Sequence, residues 1–179
     1  GVDGLVFTTK GFGNDDDRLV TYIRELASFT NLPLFVYEFP GFPNCHMSGE
    51  AYGRLTDDGL IWGVKDTTCT MEGIEAKIKN KHNSTVLQAN MPLLYDAFVA
   101  GARGVMATPT SCGGAFFARF FEAFTSGDMN LALQRYNEII LLDNAIDSGF
   151  CASAKELVRL QGVKGFNWYT RGSHELSEA

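Results

Sequence analysis

The sequence predicts an α/β protein built on a parallel sheet, and three observations carry that reading. Short continuous apolar runs, Leu34-Phe35-Val36-Tyr37 and Leu60-Ile61-Trp62-Gly63-Val64, end abruptly in polar or turn-forming residues, the pattern of strands buried on both faces. Between such runs lie segments with apolar residues at helical spacing, and a strand–helix–strand order implies right-handed parallel crossovers. The 179 residues, 45% of them hydrophobic, suffice to bury one good core.

The elements follow in order. Residues 4–9 read as a strand, and Lys10-Gly-Phe-Gly-Asn14 as its glycine-rich exit loop. Asp15-Asp16-Asp17 supplies an N-cap and two acidic first-turn residues that favour a helix start. That helix runs to about residue 29, with Leu19, Tyr22, Ile23 and Leu26 at inward spacing. Three consecutive carboxylates also invite a metal-site reading, but side chains on a helix start diverge. The Tyr37 strand follows, then a turn at residues 40–43, and Ser48 caps a short helix to residue 55. The turn Asp57-Asp58-Gly59 leads into the run that ends before Lys65.

Beyond it, residues 66–70 (Asp-Thr-Thr-Cys-Thr) form a hydroxyl-rich loop that serves either to bind a ligand or to cap the helix at 71–79, with Thr70 placed as the cap. Residues 85–88 form a further strand. Pro92 starts a helix to residue 100, and residues 105–108 form the last strand. Residues 109–114 read as a loop. The helix at 115–125 carries Phe116, Phe117, Phe120, Phe121 and Phe124, a wide apolar stripe suited to packing. Asp128 caps a helix over 129–147, and a final helix over 152–161 ends at Gly162 in the C′ position.

Chemistry concentrates at two positions. Tyr37 ends one strand and Lys65 directly follows the apolar run of the next, at the carboxyl edge where parallel α/β proteins bind ligands. A lysine amine at a pocket mouth is a candidate nucleophile, and a neighbouring tyrosine a candidate proton shuttle. A lysine after a strand is also commonly the first residue of a solvated loop, and a strand tyrosine an ordinary core residue. Periodicity leaves both readings open.

Several segments in register resemble the carboxyl-terminal portion of the dihydrodipicolinate synthase / N-acetylneuraminate lyase family. Residues 4–9 resemble its fourth strand. Leu32-Pro-Leu-Phe-Val-Tyr37, with the turn Tyr37-Glu-Phe-Pro40-Gly41, resembles its fifth. Trp62-Gly-Val-Lys-Asp66 resembles its sixth, and Ala100-Gly-Ala-Arg-Gly-Val-Met106 the approach to its eighth. Tyr169-Thr-Arg171 and Glu175-Leu-Ser-Glu178 resemble its closing stretch. The resemblance implies a (β/α)8 TIM barrel, of which this chain covers about strands 4–8 plus C-terminal helices. Residues 1–125 would supply βα units 4–8, and residues 126–179 a helical extension.

The resemblance further implies a class I aldolase or lyase acting on a pyruvate-type 2-oxo acid. Lys65 would be the Schiff-base nucleophile and Tyr37 the proton shuttle, with Thr67, Ala89 and Met106 binding substrate. It implies no metal and no other cofactor, a cytoplasmic location, and a homo-oligomer, dimer or tetramer. The alternatives are a dihydrodipicolinate-synthase-like or dehydratase activity of the same imine type, or a non-catalytic barrel. The chain departs from the synthases at Phe42, where they carry an arginine. It departs again at Lys10 and Gly11, where they carry paired tyrosines, and at Ala89-Asn90-Met91, where they carry Gly-Asp-Asp; these differences count against the lysine-forming synthase itself. A complete barrel needs about 200–250 residues, so roughly three βα units are expected to precede Gly1.

Composition narrows partners. A net charge of −6 argues against a nucleic-acid surface, which needs a basic patch. No apolar run is long enough to span a membrane. The four cysteines, Cys45, Cys69, Cys112 and Cys151, lack any Cys-x-x-Cys spacing and read as free thiols; Cys69 is the best placed to react. His46, His82 and His174 show no metal-ligand spacing.

Overall fold

A computed structural model describes residues 1–12, 14–39, 41, 46–171 and 176. The residues group into two compact units, Gly1–Met106 and Ala107–Ala179. Phe42, Cys45, His174 and most of the Glu175-Leu-Ser-Glu178 stretch lie outside the described residues.

The first unit alternates strand and helix throughout: β1 (Leu5–Thr8), α1 (Asp16–Ala27), β2 (Leu34–Tyr37), α2 (Gly49–Asp57), β3 (Ile61–Asp66), α3 (Met71–Lys79), β4 (Thr85–Gln88), α4 (Leu94–Ala100) and β5 (Gly104–Val105), with a 3₁₀ turn at Met91–Leu93 before α4. The sheet is parallel in every pair and its strand order is β1-β2-β3-β4-β5. A doubly wound sheet reverses direction midway, whereas strictly sequential order is how a (β/α)8 barrel is laid down. Successive helices α1 to α4 pack side by side. Unit 1 has the architecture of a segment of such a barrel.

The caps explain the helix starts. Asp15 accepts from the Arg18 N–H, Ser48 from Ala51 and Thr70 from Gly73, each satisfying an orphan donor of a first turn. Core packing lies on the helix-facing side of the sheet. Val36, Val64 and Val86 pair in register and are fully buried. Val6, Tyr37, Lys65 and Leu87 on the other face are half-buried or exposed. That second face is the one a (β/α)8 barrel turns to its interior.

Several boundaries differ from expectation. Helix α1 stops at Ala27, two residues early. Lys65 belongs to β3 instead of following it, because its backbone continues the pairing with β2 and β4. β5 is only Gly104–Val105.

The second unit is helical: α5 (Thr108–Thr125), α6 (Met129–Asp147) and α7 (Cys151–Leu160). The expected loop at 109–114 is instead the first turns of α5, kinked at Gly113 (φ −131°, ψ 31°). Pro109 is tolerated in this first turn, where its missing N–H has no partner to lose. Phe117 and Phe120 are buried, while Phe121 is exposed. Cys112, Ile146 and Ala154 form a small core closed by Leu142, Leu157 and Val158. The Cβ that Gly113 lacks would sit 2.4 Å from Leu142 Cδ2, so the kink also makes room for α6.

Candidate active site

The carboxyl edge of the sheet is levelled by a backbone ladder. The N–H groups of Thr9, Glu38, Ala89 and Met106 each donate to the end of a neighbouring strand: to Tyr37 O (3.2 Å), Lys65 O (3.2 Å), Asp66 O (3.1 Å) and Gln88 O (3.0 Å). Tyr37 and Lys65 are register partners, so their side chains leave the same face side by side. The Lys65 Nζ lies over the Tyr37 ring, 3.8 Å from its centroid, within the range of a cation–π contact. Phe39 packs against the tyrosine from beyond, with centroids 5.7 Å apart. Among the described residues, no side chain hydrogen-bonds the Tyr37 hydroxyl or the Lys65 amine.

Thr67, Ala89 and Met106 are at the same edge, but their donors are engaged. The Thr67 hydroxyl donates to Glu38 O, and the Ala89 and Met106 N–H groups belong to the ladder. What they offer a ligand is acceptors: the threonine oxygen and two carbonyls. The rest of the hydroxyl-rich loop is likewise used internally. Asp66 Oδ1 accepts from the Thr68 N–H (3.0 Å) and hydroxyl (2.8 Å), and Thr70 caps α3. Cys69 is exposed with a positive φ of 58°, its thiol directed to Thr67 O at 3.3 Å.

Behind this edge, on the helix side, lies a group the sequence reading missed. Lys77 of α3 is 1% exposed, and its Nζ meets Glu38 Oε2 at 2.7 Å and Asp66 Oδ2 at 2.9 Å. Both carboxylates are as deeply buried. Those two oxygens have no other polar partner among the described residues, so the one ammonium compensates both. Glu38 Oε1 accepts from the Met47 N–H at 2.6 Å. Burial pushes the Glu38 carboxyl above its ordinary range, and the neighbouring ammonium only partly offsets it. For Lys77, burial works against the charged form, but the two carboxylates outweigh it and its pKa ends above lysine's ordinary value. Gln88, also buried, accepts from the Ala89 and Asn90 N–H groups at 2.7 and 2.6 Å, fixing the loop after β4.

One faint signal was available. Glu38 and Asp66 each follow a candidate catalytic residue, and alternation along a strand must turn them to the opposite face. Lys77 shares a helix face with buried Ile74.

Other candidates dissolve into structure. Asp15 caps α1, Asp16 accepts from the Ser48 N–H and Asp17 pairs with Arg54. The three acids thus diverge onto three partners, and among the described residues no cluster is arranged to hold a metal ion. A cavity of about 430 Å³, lined by His46, Met47, Thr68, Thr70, Gly73 and Lys77 among others, opens on the helix side. It does not include Tyr37 or Lys65. Cys69, Cys112 and Cys151 are free thiols. Among the described residues no helix is long and apolar enough to cross a membrane.

Comparison with known proteins places this geometry. The chain is 26% identical over 174 residues to the 4-hydroxy-tetrahydrodipicolinate synthase of Acidothermus cellulolyticus, covering 92% of this chain and 54% of that protein. It is 23% identical over 144 residues to the same-named protein of Desulforudis audaxviator, covering 79% and 49%. The chain thus spans about half the length of the curated relatives it matches. Among solved structures it superposes on YagE, a prophage protein of the dihydrodipicolinic acid synthase family from E. coli in complex with pyruvate, with a TM-score of 0.85 at 19% identity. That match covers 99% of this chain and 62% of YagE. CdNal of Clostridium difficile, in complex with mannosamine, matches with a TM-score of 0.81 at 22% identity, covering 92% and 57%. These likenesses establish the TIM-barrel fold. The model of the dihydrodipicolinate synthetase family matches residues 11–171, and the chain belongs to that family.

Proposed function

We propose that the protein carrying this chain is a Schiff-base-forming lyase or aldolase acting on a pyruvate-type 2-oxo acid. The observation that carries the reading is the Lys65 amine 3.8 Å from the centre of the Tyr37 ring, at the sheet edge where barrel enzymes do chemistry. Family membership supports it, as does the pyruvate in the YagE structure. In this reading residues 1–125 contribute βα units four to eight and residues 126–179 a helical extension. The protein acts in the cytoplasm as a homo-oligomer.

Lys65 adds to the ketone carbon to give a carbinolamine, which loses water to form an imine. The protonated imine withdraws electrons, so the adjacent carbon–carbon bond breaks or forms with charge delocalised into nitrogen. Tyr37 moves the proton on and off the substrate hydroxyl. Imine formation uses the neutral form of the Lys65 amine as nucleophile. Thr67, Ala89 and Met106 accept hydrogen bonds from substrate hydroxyls through the oxygens that the fold leaves open.

A second reading, a non-catalytic barrel of the family, draws on one observation: the N–H donors of Ala89 and Met106 and the Thr67 hydroxyl are all engaged within the chain. Incubation of the protein with pyruvate, borohydride reduction and peptide mass spectrometry separates the two. An adduct on Lys65 is expected. Absence of any adduct, across pyruvate and longer 2-oxo acids, would favour the non-catalytic barrel.

A further inference from the structure

We propose that Lys77, Glu38 and Asp66 are positioning residues that hold the Tyr37–Lys65 pair from behind the sheet, an inference that rests on the Schiff-base reading above. Glu38 and Asp66 are the residues immediately after Tyr37 and Lys65. Strand alternation sends the candidate catalytic side chains to one face and the two carboxylates to the other. On that other face both carboxylates meet the same atom, Lys77 Nζ, at 2.7 and 2.9 Å. A single side chain from α3 therefore ties together the ends of β2 and β3, one residue beyond each member of the pair.

The arrangement gains direction more than stability. A buried ion cluster is often no more stable than apolar side chains of the same volume, yet here three ionisable groups are 1% exposed or less. What the charges supply is orientation. Glu38 Oε1 is fixed by the Met47 N–H, and Asp66 Oδ1 by the backbone and hydroxyl of Thr68. The Thr67 hydroxyl closes the loop onto Glu38 O. Neither carboxylate is free to rotate away from the ammonium. The Tyr37 hydroxyl and Lys65 amine, by contrast, have no hydrogen-bonding side chain of their own among the described residues. Their relative placement follows from where the two strand ends are held, and a displacement of about an ångström between reacting groups lowers a rate about 100-fold.

The test compares the unsubstituted protein with the neutral variant Lys77→Met/Glu38→Gln/Asp66→Asn, which keeps the volumes of the side chains and removes every charge. Two readouts are taken: the rate of borohydride-trapped pyruvate adduct on Lys65 as a function of pyruvate concentration, and the upfield ring-current shift that Tyr37 imposes on the Lys65 ε-methylene in protein labelled with ¹³C-lysine. The limiting trapping rate is expected to fall about 100-fold with little change in its concentration dependence, and the ring-current shift to collapse. A folded variant that keeps both the shift and the rate overturns the proposal. If the triple variant does not fold, Glu38→Gln alone is read in the same way. If the unsubstituted protein traps no pyruvate, the Schiff-base reading falls. The ring-current comparison then still decides the positioning role: a shift lost in the variant supports it, and a shift retained sinks it.

Discussion

Removing the Lys77 ammonium alone, by Lys77→Met, leaves two buried carboxylates with no other cation in contact among the described residues. The Glu38 carboxyl is already raised above its ordinary value of 4.5 with the lysine present. Without Lys77, burial and the nearby Asp66 push the Glu38 carboxyl further up, opposed only by the Met47 N–H. The variant is expected to lose about 3–5 kcal/mol, the cost of breaking a buried ion pair from one side.

The sign of the pH dependence follows from the direction of the shift. A group whose folded pKa is raised adds stability below its unfolded value, and that stability is lost as pH rises through the folded one. The Lys77→Met deficit should therefore shrink as pH falls toward the carboxyl's unfolded value of 4.5. Urea unfolding at a series of pH values, followed by far-ultraviolet circular dichroism for both proteins, measures it, since carboxyl groups away from Lys77 cancel in the difference. A deficit below about 1 kcal/mol, or one that stays flat with pH, would refute the view that this lysine alone compensates the two acids.

Two further outcomes are expected. Tyr52 of α2 is fully buried with its hydroxyl at 2.6 Å from Ser84 Oγ and 3.0 Å from Thr85 O, and burial raises its pKa to about 12 from 10.0. The unsubstituted protein should lose about 3 kcal/mol between those pH values through this group, while Tyr52→Phe loses none of it and gives up about 1 kcal/mol at neutral pH; superimposable alkaline unfolding curves would contradict this. At Gly49 an added Cβ would sit 2.5 Å from the Ala76 carbonyl oxygen, a backbone atom that can yield only if α2 and α3 separate. Gly49→Ala should accordingly lower stability by about 1–3 kcal/mol, and an unchanged melting temperature would show that the two helices are not in rigid contact.

Much of the fold was legible because its signals are local. Asp15, Ser48, Thr70 and Asp128 cap the helices that follow them, since a capping oxygen acts within three residues. The strand runs and the pairing of Tyr37 with Lys65 were legible too, the first from hydrophobicity and the second from the shared carboxyl edge. The start of α5 was not, because a proline and two glycines read as a loop when the first belongs to a helical turn and Gly113 to a kink against Leu142.

Lys77 was the hardest to see, and the reason is physical. Charged residues on an amphipathic helix ordinarily belong to the solvated face. Only partners from elsewhere make the exception, and here they stand 39 and 11 positions earlier, at the ends of two different strands. Yet period-two alternation along the strands also turns Glu38 and Asp66, each one residue beyond a candidate catalytic residue, into the layer between sheet and helices. Two adjacent buried carboxylates there demand a cation, and α3 is the helix that packs over the β3–β4 side of that layer. The two faces of the strand ends thus form one problem: what the front requires in geometry, the back must hold in charge.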